Sequence, residues 1–316
     1  MILAVTPNPA LDLTYTVPAL EVGAVHRVQS VAEAPGGKGV NVARVLTQLG
    51  ETVTCAGFLG GATGRAVADR LDAAGIAQAW IPIDAETRRT VNVVDAAGAT
   101  LLNEPGPTLD AGAWERLTGR ASELLGAGDV LTVSGSLPPG SPDGALPSLV
   151  RAAAAREALV VVDTSGPGLL AAAAAGAHVL KPNEDELLRA TGADDVLAGA
   201  AELIDAGAAA VLVSQGSAGA LLVVRGPGGR RACRCRPAEV LQGNPTGAGD
   251  AAVAAIARAL SGADAGAPLD VVLARSLPDV VALSGAAVLA PTAGAVDLDA
   301  YGRMTATVRT EEIRAH

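Results

Sequence analysis

The sequence predicts an α/β fold, in which a doubly wound, mostly parallel sheet is flanked by helices and a small β-sheet lies beside it. The first observation is the regular alternation of strand-like and helix-like segments after residue 52, which is typical of a parallel sheet covered on both faces. The second is a pair of hairpin patterns, within residues 10–34 and 88–106, that interrupt this alternation. We expect one domain over residues 1–316, with these two segments forming a lid.

The strands of the main sheet are predicted from short apolar runs followed by turn-forming residues. Such runs are found at residues 1–5, 52–58, 76–83, 130–134, 159–163, 178–180 and 210–214. Helical periodicity lies between them, for example at residues 64–74, 111–125 and 146–155. Near the end, a long helix at residues 268–289 is expected to be interrupted at Pro278 and Gly285, and residues 304–313 are a candidate edge strand.

The small sheet is predicted from two stretches of alternating polar and apolar residues. The first covers residues 13–33, and the second covers residues 90–103 with a turn at Gly98. Ordinary hairpins at the edge of the main sheet are the alternative interpretation. Arg88 and Arg89 stand at the base of the second hairpin, where they are either solvated surface residues or a grip for an anion.

Composition and charge argue against several classes of protein. A formal net charge of −10 does not suit a general nucleic-acid binder. The sequence has no basic N-terminal region and no run of about twenty residues free of Gly and polar breaks, so we expect neither a signal peptide nor a membrane span. Three cysteines and three histidines lack the spacing of a disulfide framework or a metal site, which favours a cytoplasmic compartment.

The segment Gly247-Ala248-Gly249-Asp250 is the strongest candidate for a functional site. A helix is expected to start at residues 248–250, so free backbone N–H groups would meet an anion there, and the Asp could accept a proton. A turn followed by an acid that favours the helix dipole explains the same residues. The segment also fits a loose dinucleotide fingerprint, which requires a strand just before it.

Three more loops follow predicted strands or precede helices. Lys38 and Asn41 follow a Gly-rich loop, and Lys38 and Lys181 are the only lysines of the chain, although chance in an Arg-biased composition explains that as well. Asn183 and Glu186 form either a capping box or a pair that holds water on Mg²⁺. The turn at residues 214–219 is either a plain hairpin or one wall of a nucleotide site.

These motifs carry a resemblance that runs nearly from end to end. The residues concerned are Thr6-Pro7-Asn8-Pro9-Ala10-Leu11-Asp12, Gly36-Gly37-Lys38-Gly39-Val40-Asn41, Ser134-Gly135-Ser136-Leu137-Pro138, Asp163-Thr164-Ser165-Gly166, Lys181-Pro182-Asn183-Glu184-Asp185-Glu186 and Gly247-Ala248-Gly249-Asp250. Together they resemble the ribokinase-like sugar kinases, specifically the PfkB branch with 1-phosphofructokinase, the minor 6-phosphofructokinase and tagatose-6-phosphate kinase. The resemblance implies a ribokinase-like doubly wound sheet with a β-sheet lid.

The resemblance also implies roles for individual residues. ATP would be the phosphoryl donor with Mg²⁺, and Asp250 would be the base that deprotonates the acceptor hydroxyl. The other implied sites are an anion hole at Gly247, Ala248 and Gly249; a Mg²⁺–water pair at Asn183 and Glu186; a sugar-phosphate cradle at Asp12, Gly37, Lys38, Asn41 and Arg88, with Arg27 as a weaker candidate; and a nucleotide site at Lys181, Ser214, Gly216, Gly219 and Thr246.

The substrate implied by the resemblance is a ketohexose monophosphate. Asn244-Pro245-Thr246 and the spacing at residues 87–92 favour tagatose 6-phosphate or fructose 6-phosphate, whereas residues 103–107 and 36–39 favour fructose 1-phosphate. A non-catalytic sugar-phosphate sensor and a nicotinamide-dependent oxidoreductase are the alternatives from other classes. Because a lid of two hairpins needs its apolar face covered, we also expect a homodimer formed through the lid.

Overall fold

The computed structural model describes residues 1–264 and 266–313. Its strands, in chain order, are β1 Ile2–Thr6, β2 Ala10–Thr16, β3 Ser30–Gly36, β4 Val53–Gly60, β5 Ala77–Ile83, β6 Arg88–Asp95, β7 Gly98–Asn103, β8 Val130–Ser134, β9 Leu159–Asp163, β10 Val179–Leu180, β11 Ala210–Ser214, β12 Ala220–Gly226, β13 Gly229–Arg236 and β14 Arg309–Ile313. The α-helices are α1 Lys38–Gln48, α2 Gly61–Ala73, α3 Ala111–Leu124, α4 Ala145–Ala154, α5 Pro167–Ala174, α6 Glu184–Thr191, α7 Val196–Asp205, α8 Ala248–Ser261, α9 Leu269–Val288 and α10 Leu298–Thr305.

The main sheet has ten strands in the order β14-β13-β12-β11-β10-β9-β8-β1-β4-β5. The seven strands from β11 to β5 in this order are parallel, and β12, β13 and β14 add an antiparallel edge. The order reverses at β1, which lies between β4 and β8, so loops on both sides of β1 open at the carboxyl ends of the strands. In open α/β sheets, ligands bind at this place.

Helices cover both faces of the main sheet, as predicted. Residues of α1, α2, α8 and α9 belong to one hydrophobic core, and residues of α3 to α7 belong to the other. The second core contains the edge-to-face pair of Phe58 and Trp114, whose ring centroids are 5.2 Å apart. In α8, a run of alanines is buried almost completely, and this small surface lets the helix pack closely against α1 and α9.

The predicted elements of the main sheet are confirmed closely. The bounds of β8, β9 and β11 match the prediction residue for residue, and β14 forms the expected edge strand within residues 304–313. Apolar runs with sharp polar ends explain this accuracy, because both the burial of a strand and its end are encoded locally.

The expected interruption of the last long helix was wrong, because α9 is continuous over Leu269–Val288 with Pro278 inside it. Proline has no N–H group, so the bond to the carbonyl one turn earlier is lost. The buried side chains of Leu277 and Val280 flank this point and hold the helix in the core. Gly285 permits close packing, since a Cβ atom there would lie 2.8 Å from the Sδ atom of Met304.

Helix α9 is also the one described helix that is long and apolar enough to cross a membrane, with a hydropathy of 1.6. Half of its apolar window is buried inside the protein, where it packs against α8 and α10. These contacts are those of a core helix.

The two hairpin segments form a separate four-stranded sheet with the order β3-β2-β6-β7, called the small sheet below. Strands β2 and β3 are antiparallel, β6 and β7 are antiparallel, and β2 pairs with β6 in parallel. Strand β3 ends at Gly36, two residues before α1 begins at Lys38. The small sheet is therefore linked directly to the helix that begins in the Gly-rich loop.

Candidate active site

A cavity of about 760 Å³ opens at the carboxyl ends of the parallel strands, beneath the small sheet. The loops after β10 and β11 and the N-termini of α1 and α8 form its floor, and residues of the small sheet form its other wall. Nearly all predicted site residues line it: Asp12, Gly37, Lys38, Asn41, Arg88, Lys181, Asn183, Glu186, Ser214, Gly216, Gly219, Thr246, Gly247, Ala248, Gly249 and Asp250.

Arg27 is the exception among the predicted residues. It is exposed in the connection between β2 and β3, and it does not line the cavity of the single chain. The register of the hairpin explains this, because the neighbouring Gln29 bonds to Thr16 at the end of β2 that is remote from Asp12. A positive charge in the sequence does not reveal which end of a hairpin it will occupy.

The start of α8 is built as the motif predicts. Gly247 lies just before the helix with a φ of 92°, in the left-handed region that favours glycine, and a Cβ atom there would lie 3.1 Å from the Cα atom of Ala293. The first amides of a helix lack a carbonyl partner one turn earlier. The N–H groups of Gly249 and Asp250 are therefore suited to bind an anion in the cavity.

Asp250 is buried in the first turn of α8, with only 5% of its surface exposed. The side-chain amide of Asn41, on α1, donates a hydrogen bond of 2.8 Å to its Oδ2 atom. Burial raises the pKa of Asp250 to about 7, and the negative charge of Asp163 acts in the same direction. The bond from Asn41 and the charges of Lys38 and Lys181 oppose this shift. A carboxyl group with such a pKa can accept a proton near neutral pH.

Both lysines of the chain meet one carboxylate, that of Asp163 at the end of β9. The Nζ atom of Lys38 lies 3.2 Å from its Oδ1 atom, and the Nζ atom of Lys181 lies 3.6 Å from the same oxygen. Burial tends to lower the pKa of Lys38, but the charges of Asp163, Glu186 and Asp250 together raise it. Lys38 therefore stays positively charged in the cavity.

Asn183 and Glu186 form a complete capping box at the start of α6. The Oδ1 atom of Asn183 accepts from the backbone N–H of Glu186 at 2.8 Å, and the Oε2 atom of Glu186 accepts from the backbone N–H of Asn183 at 2.9 Å. The structural interpretation of this motif is thus correct. It does not exclude the functional one, because Glu186 lines the cavity and only one of its two carboxylate oxygens takes part in the capping box.

Arg88 reaches the cavity from the first residue of β6. Its Nε atom donates to the carbonyl of Asn8, and its Nη1 atom donates to the carbonyl of Glu104, each at 3.1 Å. These bonds hold the guanidinium group between the two sheets. Arg89 points elsewhere and donates to the hydroxyl of Thr63 at 3.0 Å. The structure thus places Arg88 in the cavity, where a grip for an anion would have to lie, and gives Arg89 a structural contact outside it.

A smaller cavity of about 240 Å³ adjoins the first at Lys38, Arg88 and Glu186. Two hydroxyl-bearing residues that were not assigned a role from the sequence, Ser136 and Thr164, also line it. Both lie in polar loops that leave the carboxyl ends of strands, and this position was the signal that could have identified them.

Asp12, on β2, is half-buried beside Thr90, whose hydroxyl group donates to it. Burial raises the pKa of Asp12, while the bond from Thr90 and the charges of Arg88 and Arg44 oppose the change. Asp12 lines the cavity from the small sheet, and Asp250 lines it from the start of α8. Carboxyl groups from the small sheet and from the main domain therefore border the same space.

The far part of the main cavity is more apolar. The turn at residues 214–219 forms a short 3₁₀-helix between β11 and β12, so the hairpin interpretation is correct, and the turn also lines the cavity. Leu212, Val280 and Val281 add apolar surface beside it. A flat aromatic ring fits such a wall.

The dinucleotide fingerprint does not have the required context. The last strand before α8 is β13, which ends at Arg236 and is antiparallel to its neighbours. A connection of ten residues, 237–246, separates it from Gly247. The nicotinamide-dependent alternative needs a parallel strand that leads directly into this turn, so the structure does not support it.

The fold with this cavity is found in sugar kinases. The structure of phosphofructokinase-2 from Escherichia coli in complex with potassium superposes with a TM-score of 0.87, at 30% identity over 96% of this chain and 98% of that chain. The protein is a ribokinase-like α/β enzyme of the sugar-kinase class. The model of the pfkB family of carbohydrate kinases matches residues 6–289, and the chain belongs to this family.

Curated relatives agree with this assignment. A 1-phosphofructokinase of Haloferax volcanii is 43% identical over 231 residues, which cover 71% of this chain and 73% of the relative. A tagatose-6-phosphate kinase of Staphylococcus epidermidis is 32% identical over 268 residues, which cover 82% and 85% of the two chains. The predicted fold class, family and kinase activity are confirmed, and the family implies ATP as the phosphoryl donor.

The raised pKa of Asp250 predicts a specific effect of Asp250→Asn on stability. The folded protein binds the proton of this carboxyl more tightly than the unfolded chain, whose ordinary value is 3.8. The resulting stabilisation is complete below that value and is lost as the pH rises through about 7. The variant does not titrate here, so its free energy of unfolding relative to the native protein should increase by about 1–3 kcal/mol from pH 5 to pH 8.

Urea unfolding followed by circular dichroism at both pH values measures this difference. Asp185→Asn, at an exposed position in the first turn of α6, makes the same chemical change and is the control. It shows what the same chemical change does where the side chain is exposed to water. A difference for Asp250→Asn that stays constant with pH would contradict the assigned pKa.

Proposed function

We propose that the protein transfers the γ-phosphoryl group of ATP to a free hydroxyl group of a ketohexose monophosphate, with Asp250 as the base. The observation that supports this most strongly is the burial of Asp250 in the first turn of α8, beside backbone amides that can hold an anion. A hydroxyl group placed against this carboxylate could lose its proton as it attacks, and the helix N-terminus would stabilise the charge of the transferring group.

Phosphoryl transfer depends mainly on positioning and on stabilising charge. The predicted anion hole at Gly247, Ala248 and Gly249 would surround the transferring group. Its donors would be the N–H groups of Gly249 and Asp250, because the N–H of Ala248 donates to the carbonyl of Pro245 at 3.2 Å. Lys181 suits the same task, because a Cβ atom on Gly249 would lie only 3.3 Å from its Nζ atom. The ammonium group therefore lies against the first turn of α8, where the phosphates of the nucleotide would arrive.

The remaining nucleotide would extend along the apolar part of the cavity. Ser214, Gly216 and Gly219 line this part from one side, and Thr246 lines it near the anion hole. The backbone N–H of Thr246 is occupied by the side chain of Asn244 at 3.0 Å, which leaves its hydroxyl group for a ligand. These contacts support a nucleotide site along the turn and the loop before α8.

Magnesium is the metal that such a donor set would suit. Carboxylate and amide oxygens are preferred by Mg²⁺, which keeps several of its waters. The Oε1 atom of Glu186 is outside the capping box and can accept a hydrogen bond from such a water. When bound, the ion would neutralise charge on the phosphates of ATP.

The phosphate already present on the sugar would bind at Arg88. Arg88 and Lys38 line both cavities, and Ser136 and Thr164 contribute hydroxyl groups to the smaller one. Asp12, Gly37 and Asn41 line the space between this point and Asp250. A ketohexose held there by its phosphate would present its opposite end to the base.

We infer that the substrate is tagatose 6-phosphate or fructose 6-phosphate, phosphorylated at the 1-hydroxyl. Residues 87–92 and 244–246 support this choice by their resemblance to enzymes that use 6-phosphates. Fructose 1-phosphate is the second candidate. The 43% identity to a 1-phosphofructokinase favours it.

We also infer a homodimer formed through the small sheet, which would act as a lid. Of the twelve large hydrophobic side chains that are exposed among the described residues, seven belong to the small sheet and its connections: Leu20, Val22, Val25, Val28, Val31, Leu101 and Leu102. A soluble monomer rarely leaves such a large apolar surface exposed to water. A second copy of the same surface would bury it.

Asp250→Asn should lower kcat by about 10³-fold or more, because the amide cannot accept the hydroxyl proton. A coupled assay of ADP release measures this, and calorimetry measures the affinity for ATP, which should be largely kept. Asp185→Asn is again the matched control and should turn over at the native rate. Near-native turnover of Asp250→Asn would refute the assignment of the base.

Arg88→Ala should raise KM for the phosphorylated substrate by about 10–100-fold, because a charge-assisted contact to phosphate is lost. Arg89→Ala is the matched control, since Arg89 is the adjacent arginine and does not line either cavity. ADP release is measured with tagatose 6-phosphate, fructose 6-phosphate, fructose 1-phosphate and free fructose. Equal effects of both variants, or a preference of the native enzyme for free fructose, would contradict this role of Arg88.

Leu102→Asp should convert a dimer into a monomer, because it places a charge on apolar surface that would be buried between the copies. Light scattering at micromolar concentration measures the mass of the native protein and of the variant. Leu298→Asp, at an exposed leucine on α10, is the control and should leave the mass unchanged. A monomeric native protein would disprove the proposed dimer.

A further inference from the structure

Asp163 is a buried carboxylate to which the proposed mechanism gives no task. It is the last residue of β9, and its side chain is 1% exposed. One of its oxygens, Oδ1, lies between the ammonium groups of Lys38 and Lys181. The other, Oδ2, is buried without a hydrogen-bond partner among the described residues.

An unsatisfied buried carboxylate oxygen destabilises a fold, so a purely structural role would not explain this arrangement. Burial of charge is tolerated here because the lysines compensate for it. The lysines come from different elements, Lys38 from the start of α1 and Lys181 from the loop after β10. A single carboxylate thus fixes two cations at the carboxyl ends of the strands.

We propose that Asp163 is a positioning residue for phosphoryl transfer, which holds Lys38 and Lys181 beside the anion-binding end of α8 and keeps both from pairing with Asp250. This inference rests on the proposed function, in which Asp250 is the base. An ion pair with a lysine would make Asp250 a weaker base, because it would stabilise the charged carboxylate. Asp163 provides the lysines with a different partner.

The charges around Asp250 support these separate roles, in which Asp163 binds the two lysines and Asp250 acts as the base. Asn41 and Lys38 face it from α1, Asp163 from β9, and Lys181 from the loop after β10. Glu186 on α6 acts on Lys38. Among these groups, Asp163 contributes negative charge next to Asp250, and the two lysines contribute positive charge. If Asp163 is removed, Asp250 is the carboxylate on the strand ends and helix α8 that remains near the two lysines.

Asp163→Asn tests the proposal, because the amide keeps the shape of the side chain and removes its charge, while one acceptor oxygen becomes an NH2 donor. We expect kcat to fall by about 10–100-fold, with a smaller change in KM for the sugar phosphate. The acidic limb of the pH profile of kcat should move to lower pH by about one unit, since the loss of a negative neighbour lowers the pKa of Asp250. A merely structural role would not move this limb.

Lys38→Met is the second variant, and it keeps the test decisive if Asp163→Asn does not fold. Lys38 has a side chain that is 42% exposed, so its replacement should be tolerated by the fold. Loss of this positive charge should move the same limb to higher pH. Asp185→Asn is the control and should leave the limb in place.

The outcomes separate the proposal from the assignment of the base. If Asp250→Asn is inactive while Asp163→Asn keeps its native limb and kcat, the role of Asp163 is overturned and the base assignment stands. A limb that does not move in Lys38→Met overturns it as well. If Asp250→Asn turns over normally, the proposed function itself fails.

Discussion

The structure depends on how it buries charge at one end of its main sheet. Asp163, Lys181 and Asp250 are almost fully buried there, and Lys38 closes the group from the side of the cavity. An isolated buried charge is far too costly for a marginally stable protein, whereas neighbouring charges of opposite sign compensate for one another. The burial of each charge is therefore made less costly by the others. This requirement for compensation favours one arrangement of α1, β9, β10 and α8.

Helix α8 meets this requirement through its small side chains. Its alanines let it pack closely against α1 and α9, so its N-terminus is held at the carboxyl ends of the parallel strands. Bulky residues would move the helix away from the sheet and separate Asp250 from Asn41, which belongs to the neighbouring helix. The small side chains of the helix thus help to determine the geometry of the site, although none of the alanines beyond the first turn reacts with a ligand.

The sequence predicted the bounds of helices and strands better than it predicted which residues meet in the folded protein. Strands with apolar interiors and sharp polar ends were located to within one or two residues, and the start of α8 followed from Gly247 and Asp250. The two lysine contacts of Asp163 could not be predicted, because one spans 125 residues and local patterns do not reveal which strand ends become neighbours. The same reason explains Arg27, whose place depends on a hairpin register. Pro278 was misleading because tertiary packing stabilised a helix that local preference would end.

The scarcity of lysine has a consequence for the chemical reactivity of the protein. Apart from three histidines, all other basic side chains are arginines, which do not react with the acylating reagents that modify amines. Lys181 is 3% exposed, and the N-terminal amine is paired with Asp129 at 2.6 Å. Lys38 is thus the accessible lysine, and it lies in both cavities. Acylation of lysine side chains in this protein, by a reagent or by a cellular acyl donor, would therefore occur within these cavities.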